Sequence, residues 1–167
     1  MNFDFVRLPF TFVVLCALQV FILNHIQLFG CAMPLFYVWF VVTMKKGTPK
    51  WAMMCWAFAL GMTLDIFTNT PGVAAGAMTA IAMAQPYLLD LFMTRESDEQ
   101  IIPSAATIGK KPFANFTIVM VTSYCVIYYT LEMFSFMNGL KWLECVVGSA
   151  LLTIALILAF DRLRNKG

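Results

Sequence analysis

Charge is what this chain has least of. Asp, Glu, Lys and Arg make up 12% of its 167 residues, about half the share of a soluble domain. There is a single histidine, His25. No P-loop, HExxH helix or Rossmann fingerprint occurs. Ser149 follows Gly148 but lies outside any Gly-x-Ser-x-Gly elbow and has no histidine near it in sequence. The five cysteines, Cys16, Cys31, Cys55, Cys125 and Cys145, form no CxxC pair. No metal site, cofactor, nucleic-acid partner or catalytic machinery is expected from this inventory. The chain reads as a non-enzyme.

What the chain has in quantity is hydrocarbon: 61% apolar residues, 15% of the total aromatic. A water-soluble fold of this length would lack the polar surface to cover them, so a bilayer is the better solvent. The runs are too long and unbroken for barrel strands, which alternate every second residue. An all-α integral membrane fold is therefore expected, as a single membrane domain over 1–167 with no 20- to 50-residue repeat. Arg7 precedes the first run, which ends in Asn24-His25-Ile26-Gln27 without an Ala-x-Ala site, so no cleaved signal is read there.

A spanning helix needs about 20 mostly apolar residues. Six candidate spans follow, over residues 8–23, 28–44, 51–67, 71–93, 113–136 and 142–160. Residues 94–112 form a polar loop and 161–167 a short basic tail. With both termini on the cytoplasmic side, every Lys and Arg except Lys141 falls inside, as the positive-inside rule requires. The second run is the shortest. A five-span alternative with the N-terminus outside fits the charges almost as well. Cys16, Cys55 and Cys125 lie inside apolar runs and read as small core residues, whereas Cys31 and Cys145 lie nearer the outer face, where a pairing is open.

The stretch Gly61-Met-Thr-Leu-Asp65 is where this greasy pattern breaks. At 1.5 Å per residue, Asp65 stands about 21 Å past Trp51 along the third helix, in the outer leaflet. A carboxylate at such depth costs up to about 3 kcal/mol and needs a reason. Ala57, Gly61 and Asp65 share one helix face at i, i+4 and i+8, leaving room for a neighbouring backbone. Thr70 is a good N-cap and Pro71 a good first residue for the fourth helix, whose positive end answers the carboxylate. Gly61, Asp65, Thr70, Pro71 and Gly72 are thus expected to lock a tight hairpin. Gly72, Gly76, Ala80 and Ala84 then form a small-xxx-small stripe, suited either to packing within this chain or to a partner helix.

The remaining polar groups are few. Gln19 at membrane depth should hydrogen-bond another helix. Glu132, Lys141 and Glu144 cluster about the last outer loop, and Lys141 and Glu144 have the i, i+3 spacing of a pair. Asp65 and Asp90 fall at opposite ends of the membrane and cannot form an aspartyl dyad.

Gly61-x-x-x-Asp65 followed by Pro71-Gly72 and a small-residue helix resembles the signature of the rod shape-determining protein MreD family. Gln19 late in the first span and Pro34 at the entry to the second also fit. Leu35 departs from the pattern, since an aspartate is common there. The resemblance implies a fold similar to substrate-binding subunits of energy-coupling-factor transporters. It also implies a non-enzymatic scaffold of the bacterial elongation (rod-shape) complex in the inner membrane. Such a scaffold binds MreC and, with it, links MreB filaments to RodA and a penicillin-binding transpeptidase for peptidoglycan synthesis. The alternative is a vitamin-binding membrane subunit, for which Asp65, Gln19, His25, Glu132 and Trp142 are the candidate pocket. Against it, the first helix has only Ala17 where such subunits carry an Ala-x-x-x-Ala stripe.

Overall fold

A computed structural model describes residues 3–26, 30, 32–93, 101–133 and 138–164. Among the described residues six α-helices run in chain order: α1 (Phe3–Phe21), α2 (Val38–Val42), α3 (Lys50–Thr68), α4 (Val73–Phe92), α5 (Lys110–Glu132) and α6 (Gly139–Arg164). A single 3₁₀ turn, Leu23–His25, follows α1. No strand occurs among the described residues.

Among the described residues four helical stretches, Arg7–His25, Lys50–Thr68, Lys110–Glu132 and Gly139–Arg164, are long and apolar enough to cross a membrane. Their outward faces carry large apolar side chains: Phe10, Phe21, Ile66, Leu151 and Leu163 are all exposed. Apolar exposure on that scale is stable against lipid and unstable in water. The described residues, all helical or irregular with four helices fit to cross a membrane, are compatible with an all-α membrane protein. Cys55 belongs to this outward set and is exposed, so it is not the core residue expected, whereas Cys125 is buried. Cys145 is buried as well, and Cys31 lies outside the described residues, so the open pairing does too.

The second apolar run departs most from expectation. Residues 28, 29 and 31 lie outside the described residues; over the rest of the expected 28–44 helix, regular α-helix is confined to five residues, Val38–Val42. Ala32 and Pro34 to Val42 are all buried. The segment starts beside the N-terminal half of α6, where the Met33 N–H donates to Ser149 Oγ at 3.1 Å. It finishes at the far end of the bundle, where the Met44 carbonyl accepts from Gln85 Nε2 at 3.3 Å. Non-helical backbone at membrane depth survives only where protein groups replace the missing ladder. Here side chains do so. Leu35 N–H donates to Thr153 Oγ1 at 2.9 Å, and Pro34 O accepts from Gln19 Nε2 at 3.0 Å. Gly148 makes the approach possible, because a Cβ there would come within 2.9 Å of Ala32 Cβ.

Three basic residues make side-chain contacts at the Met44 end of the bundle. Lys46 pairs with Asp90 at 3.1 Å, Lys50 Nζ donates to Tyr87 Oη at 2.7 Å, and the Arg164 guanidinium lies over Trp39. The polar 94–112 stretch is not simply a solvated loop there. Residues 94–100 lie outside the described residues, but Pro103 and Ser104 are buried. Lys46 N–H donates to Ile101 O at 3.0 Å, and Ala105 N–H donates to Asp161 Oδ2 at 3.0 Å. α6 continues through Arg164, so the expected basic tail is helical over its first four residues.

Candidate functional site

The α3–α4 turn is the most tightly built polar feature. α3 ends with Asn69 in the left-handed region at φ 57°, and Gly72 follows at φ 87°. The first amides of a helix have no partners within it and must find them elsewhere. Asp65 supplies them from the preceding helix. Its Oδ1 accepts from Ala74 N at 2.9 Å and from Thr70 Oγ1 at 3.2 Å. Its Oδ2 accepts from Ala75 N at 2.9 Å and Gly72 N at 3.0 Å. Val73 N and Gly76 N close local bonds to Thr70 O and Gly72 O. No amide of the first turn is left over.

Thr70 and Pro71 differ from expectation. α4 begins at Val73, its N-cap position is Gly72, and Pro71 lies in the turn. The Thr70 hydroxyl contacts Asp65 and Thr68 instead of capping α4. A carboxylate reaching across from α3 outcompetes a threonine cap because it offers two charged acceptors to the positive end of the helix.

Gly61 and Ala57 form the seam beside this lock, and both are buried. The four-residue stripe on α4 behaves differently. Gly72, Gly76 and Ala80 are exposed and Ala84 is half-buried, whereas Ala74, Ala75, Ala77 and Ala82 are buried. The inward face of α4 is therefore one step round from the stripe. The stripe itself, continued by Met83, Tyr87 and Leu91, looks away from this chain.

Gln19 is buried and bonds the carbonyl of Pro34, which belongs to the irregular segment and not to a helix. It also lines a cavity of about 180 Å³. The polar residues there are Gln19, Asn24, Thr68, Thr70, Tyr128 and Glu132, over a floor that includes Leu35, Tyr37 and Leu64. Of the five residues named for a vitamin pocket, only Gln19 and Glu132 reach it. Asp65 is turned to the α4 amides, and His25 is exposed on the 3₁₀ turn. Trp142 is half-buried elsewhere. Lys141 and Glu144 are exposed and do not line the cavity, and among the described residues no ion pair joins them to each other or to Glu132.

Several structural roles are not evident from the sequence reading. Ser149 receives Met33 N–H and contacts the Tyr129 hydroxyl at 2.6 Å, so it holds the irregular segment against α6. Thr153 sits four residues on, and this i, i+4 hydroxyl pair in an apolar helix was the available signal. Buried Gln85 holds Met44, and the Tyr37 and Tyr124 hydroxyls bond each other in the core. Asp90 lies about 24 Å along α4 from the Asp65 end at 1.5 Å per residue and is paired with Lys46. Among the described residues no three His, Cys, Asp or Glu are grouped to hold a metal.

Comparison with protein-family models, curated proteins and solved structures yields no match. The functional reading therefore rests on the geometry of this chain.

Proposed function

We propose that this chain is an MreD-type scaffold of the bacterial inner membrane, crossing it six times with both termini inside. Its fold would then be of the energy-coupling-factor subunit kind. It binds an MreC-like partner within the membrane. Through that partner it couples MreB filaments to RodA and a penicillin-binding transpeptidase during peptidoglycan synthesis. The observation that carries the reading is the use made of Asp65. All four of its hydrogen bonds go to its own hairpin, so the Gly-x-x-x-Asp…Pro-Gly block is spent on architecture. Two further features support it. The largely buried segment 32–44 contacts Ser149 of α6 at its Met33 end and Gln85 of α4 at its Met44 end, which supports a path such as a second crossing would take. The exposed Gly76–Ala80 stripe has the small residues that membrane helices use for close packing.

The cavity beside Gln19 favours a ligand-binding reading, but at about 180 Å³ it is below the roughly 300–1,000 Å³ of drug-sized ligand pockets. A vitamin subunit is the weaker reading. Depletion in rod-shaped cells decides between them. Loss of rod shape, with an MreC-like protein captured by a photocrosslinker at Ala80, is the expected result. Normal rods after complete loss, or a stoichiometric vitamin in the purified protein, would overturn it.

A further inference from the structure

A second and larger cavity, of about 600 Å³, lies where α5 begins and α6 ends, closed on a third side by the 101–109 segment. Its lining combines two chemistries. Lys110 and Arg162 both line it and are exposed, and among the described residues neither forms an ion pair. Other basic side chains of this end are engaged: Lys46 with Asp90, Lys50 with Tyr87 and Arg164 with Trp39. The acid in the lining, Asp161, is 1% exposed, and its Oδ2 accepts from Ala105 N at 3.0 Å, so it holds the wall. Two cations against one acid leave the lining one positive charge. The remaining surface is hydrocarbon, with buried Phe113 and half-buried Ala114 and Leu158. The depth is also informative. α5 has 23 residues, about 34 Å at 1.5 Å per residue, against a hydrocarbon core about 30 Å thick. Its first turn therefore stands where headgroups give way to acyl chains.

We propose that this cavity binds an anionic phospholipid, with the phosphate at the Lys110 and Arg162 rim and the first acyl methylenes against Phe113 and Leu158. Arginine matches phosphate with a fork of donors and lysine adds a point charge. Basic side chains near a bilayer surface attract anionic lipid, and here two of them edge an opening of the size that holds a small molecule. A single net negative charge balances the lining. A zwitterionic lipid brings its own cation and gains less. A soluble phosphate satisfies the rim but leaves the apolar walls in water, so the lipid is the better occupant. The inference rests on the membrane reading of the four apolar helices and is independent of the scaffold role.

The full-length protein in detergent is incubated with phosphatidylglycerol or phosphatidylcholine of matched chains, and retained lipid is read by native mass spectrometry. Wild type should retain phosphatidylglycerol about tenfold over phosphatidylcholine, the equivalent of 1.4 kcal/mol. The double variant Lys110→Gln/Arg162→Gln should bring that ratio to about one. Lys50→Gln removes a charge from the same end of the bundle but outside the cavity, and it should keep the ratio. Ala106→Trp fills the cavity from an exposed lining position without altering charge, and it should lower phosphatidylglycerol retention about tenfold. All four positions are exposed, so none of these variants threatens folding. Melting temperature separates the two sources of phosphate: phosphatidylglycerol should raise it and glycerol 3-phosphate at equal ionic strength should not. Equal stabilisation by the soluble phosphate overturns the assignment to lipid. Equal retention of the two lipids by wild type overturns the proposal, as does a wild-type ratio in the double variant or a loss in Lys50→Gln as large as in the double variant.

Discussion

A Cβ placed on Gly61 would fall 2.5 Å from Cα of Ala75 and 2.6 Å from its nitrogen. Helices α3 and α4 therefore meet backbone to backbone, and the atoms in the way belong to main chain that cannot turn aside. The same close approach lets the Asp65 carboxylate reach the amides of Ala74 and Ala75. Gly61→Ala should destabilise the protein by about 3 kcal/mol or more, at the upper end of overpacking costs. Gly76→Ala is the control, since its Cβ would meet only Leu131 Cδ1 at 3.7 Å. Unfolding of both variants in mixed detergent, followed by circular dichroism, measures the difference. Equal stability would show that the helices separate freely.

Asp65→Asn keeps the size and turns an NH₂ group toward backbone donors. At least one carboxylate oxygen's bonds are lost, so a cost of about 2–4 kcal/mol is expected from the stranded amides. Asp65→Ala strands all of them and should cost more. Both variants should lower the melting temperature in detergent. If Asp65→Asn unfolds like wild type, the lock is not an energetic feature of the hairpin.

Thr153→Val is nearly isosteric but removes the acceptor for Leu35 N–H. Ser149→Ala removes the one for Met33 N–H. Each should cost about 1–3 kcal/mol and raise hydrogen exchange selectively over residues 32–37. Unchanged protection there would mean that the irregular segment does not depend on α6.

Three single-cysteine variants in a cysteine-free background test the topology: Arg7→Cys, Lys111→Cys and Lys141→Cys, all at exposed positions. With six crossings, a membrane-impermeant maleimide applied to spheroplasts should label only Lys141→Cys. Labelling of Arg7→Cys would put the N-terminus outside and reduce the crossings to five.

Much of the hairpin is legible in the sequence alone. Ala57, Gly61 and Asp65 share a face because of helical periodicity alone, and a carboxylate in an apolar run demands partners wherever the chain goes. The ends of α3 and α4 fell within two residues of the hydropathy boundaries. Thr70 was misread as the cap because local cap preference says nothing of an acid arriving from the helix before. The stripe of Gly72, Gly76, Ala80 and Ala84 was visible, but which side of α4 faced the bundle was not. That depended on the neighbouring Ala74 and Ala75 being the residues set against Gly61.

The sequence by itself determined that this chain belongs in a bilayer, that its polar groups are too few to waste, and that a carboxylate stands beside small residues at a helix end. Those follow from composition and from the 3.6-residue period, which are local quantities. Only the tertiary structure decided that the described part of the second apolar run stays largely non-helical. Its backbone groups are met by Gln19, Ser149 and Thr153, which lie 15 to 118 residues away along the chain. Hydropathy measures whether a segment avoids water, and a segment sheltered by other helices scores like one that shelters itself.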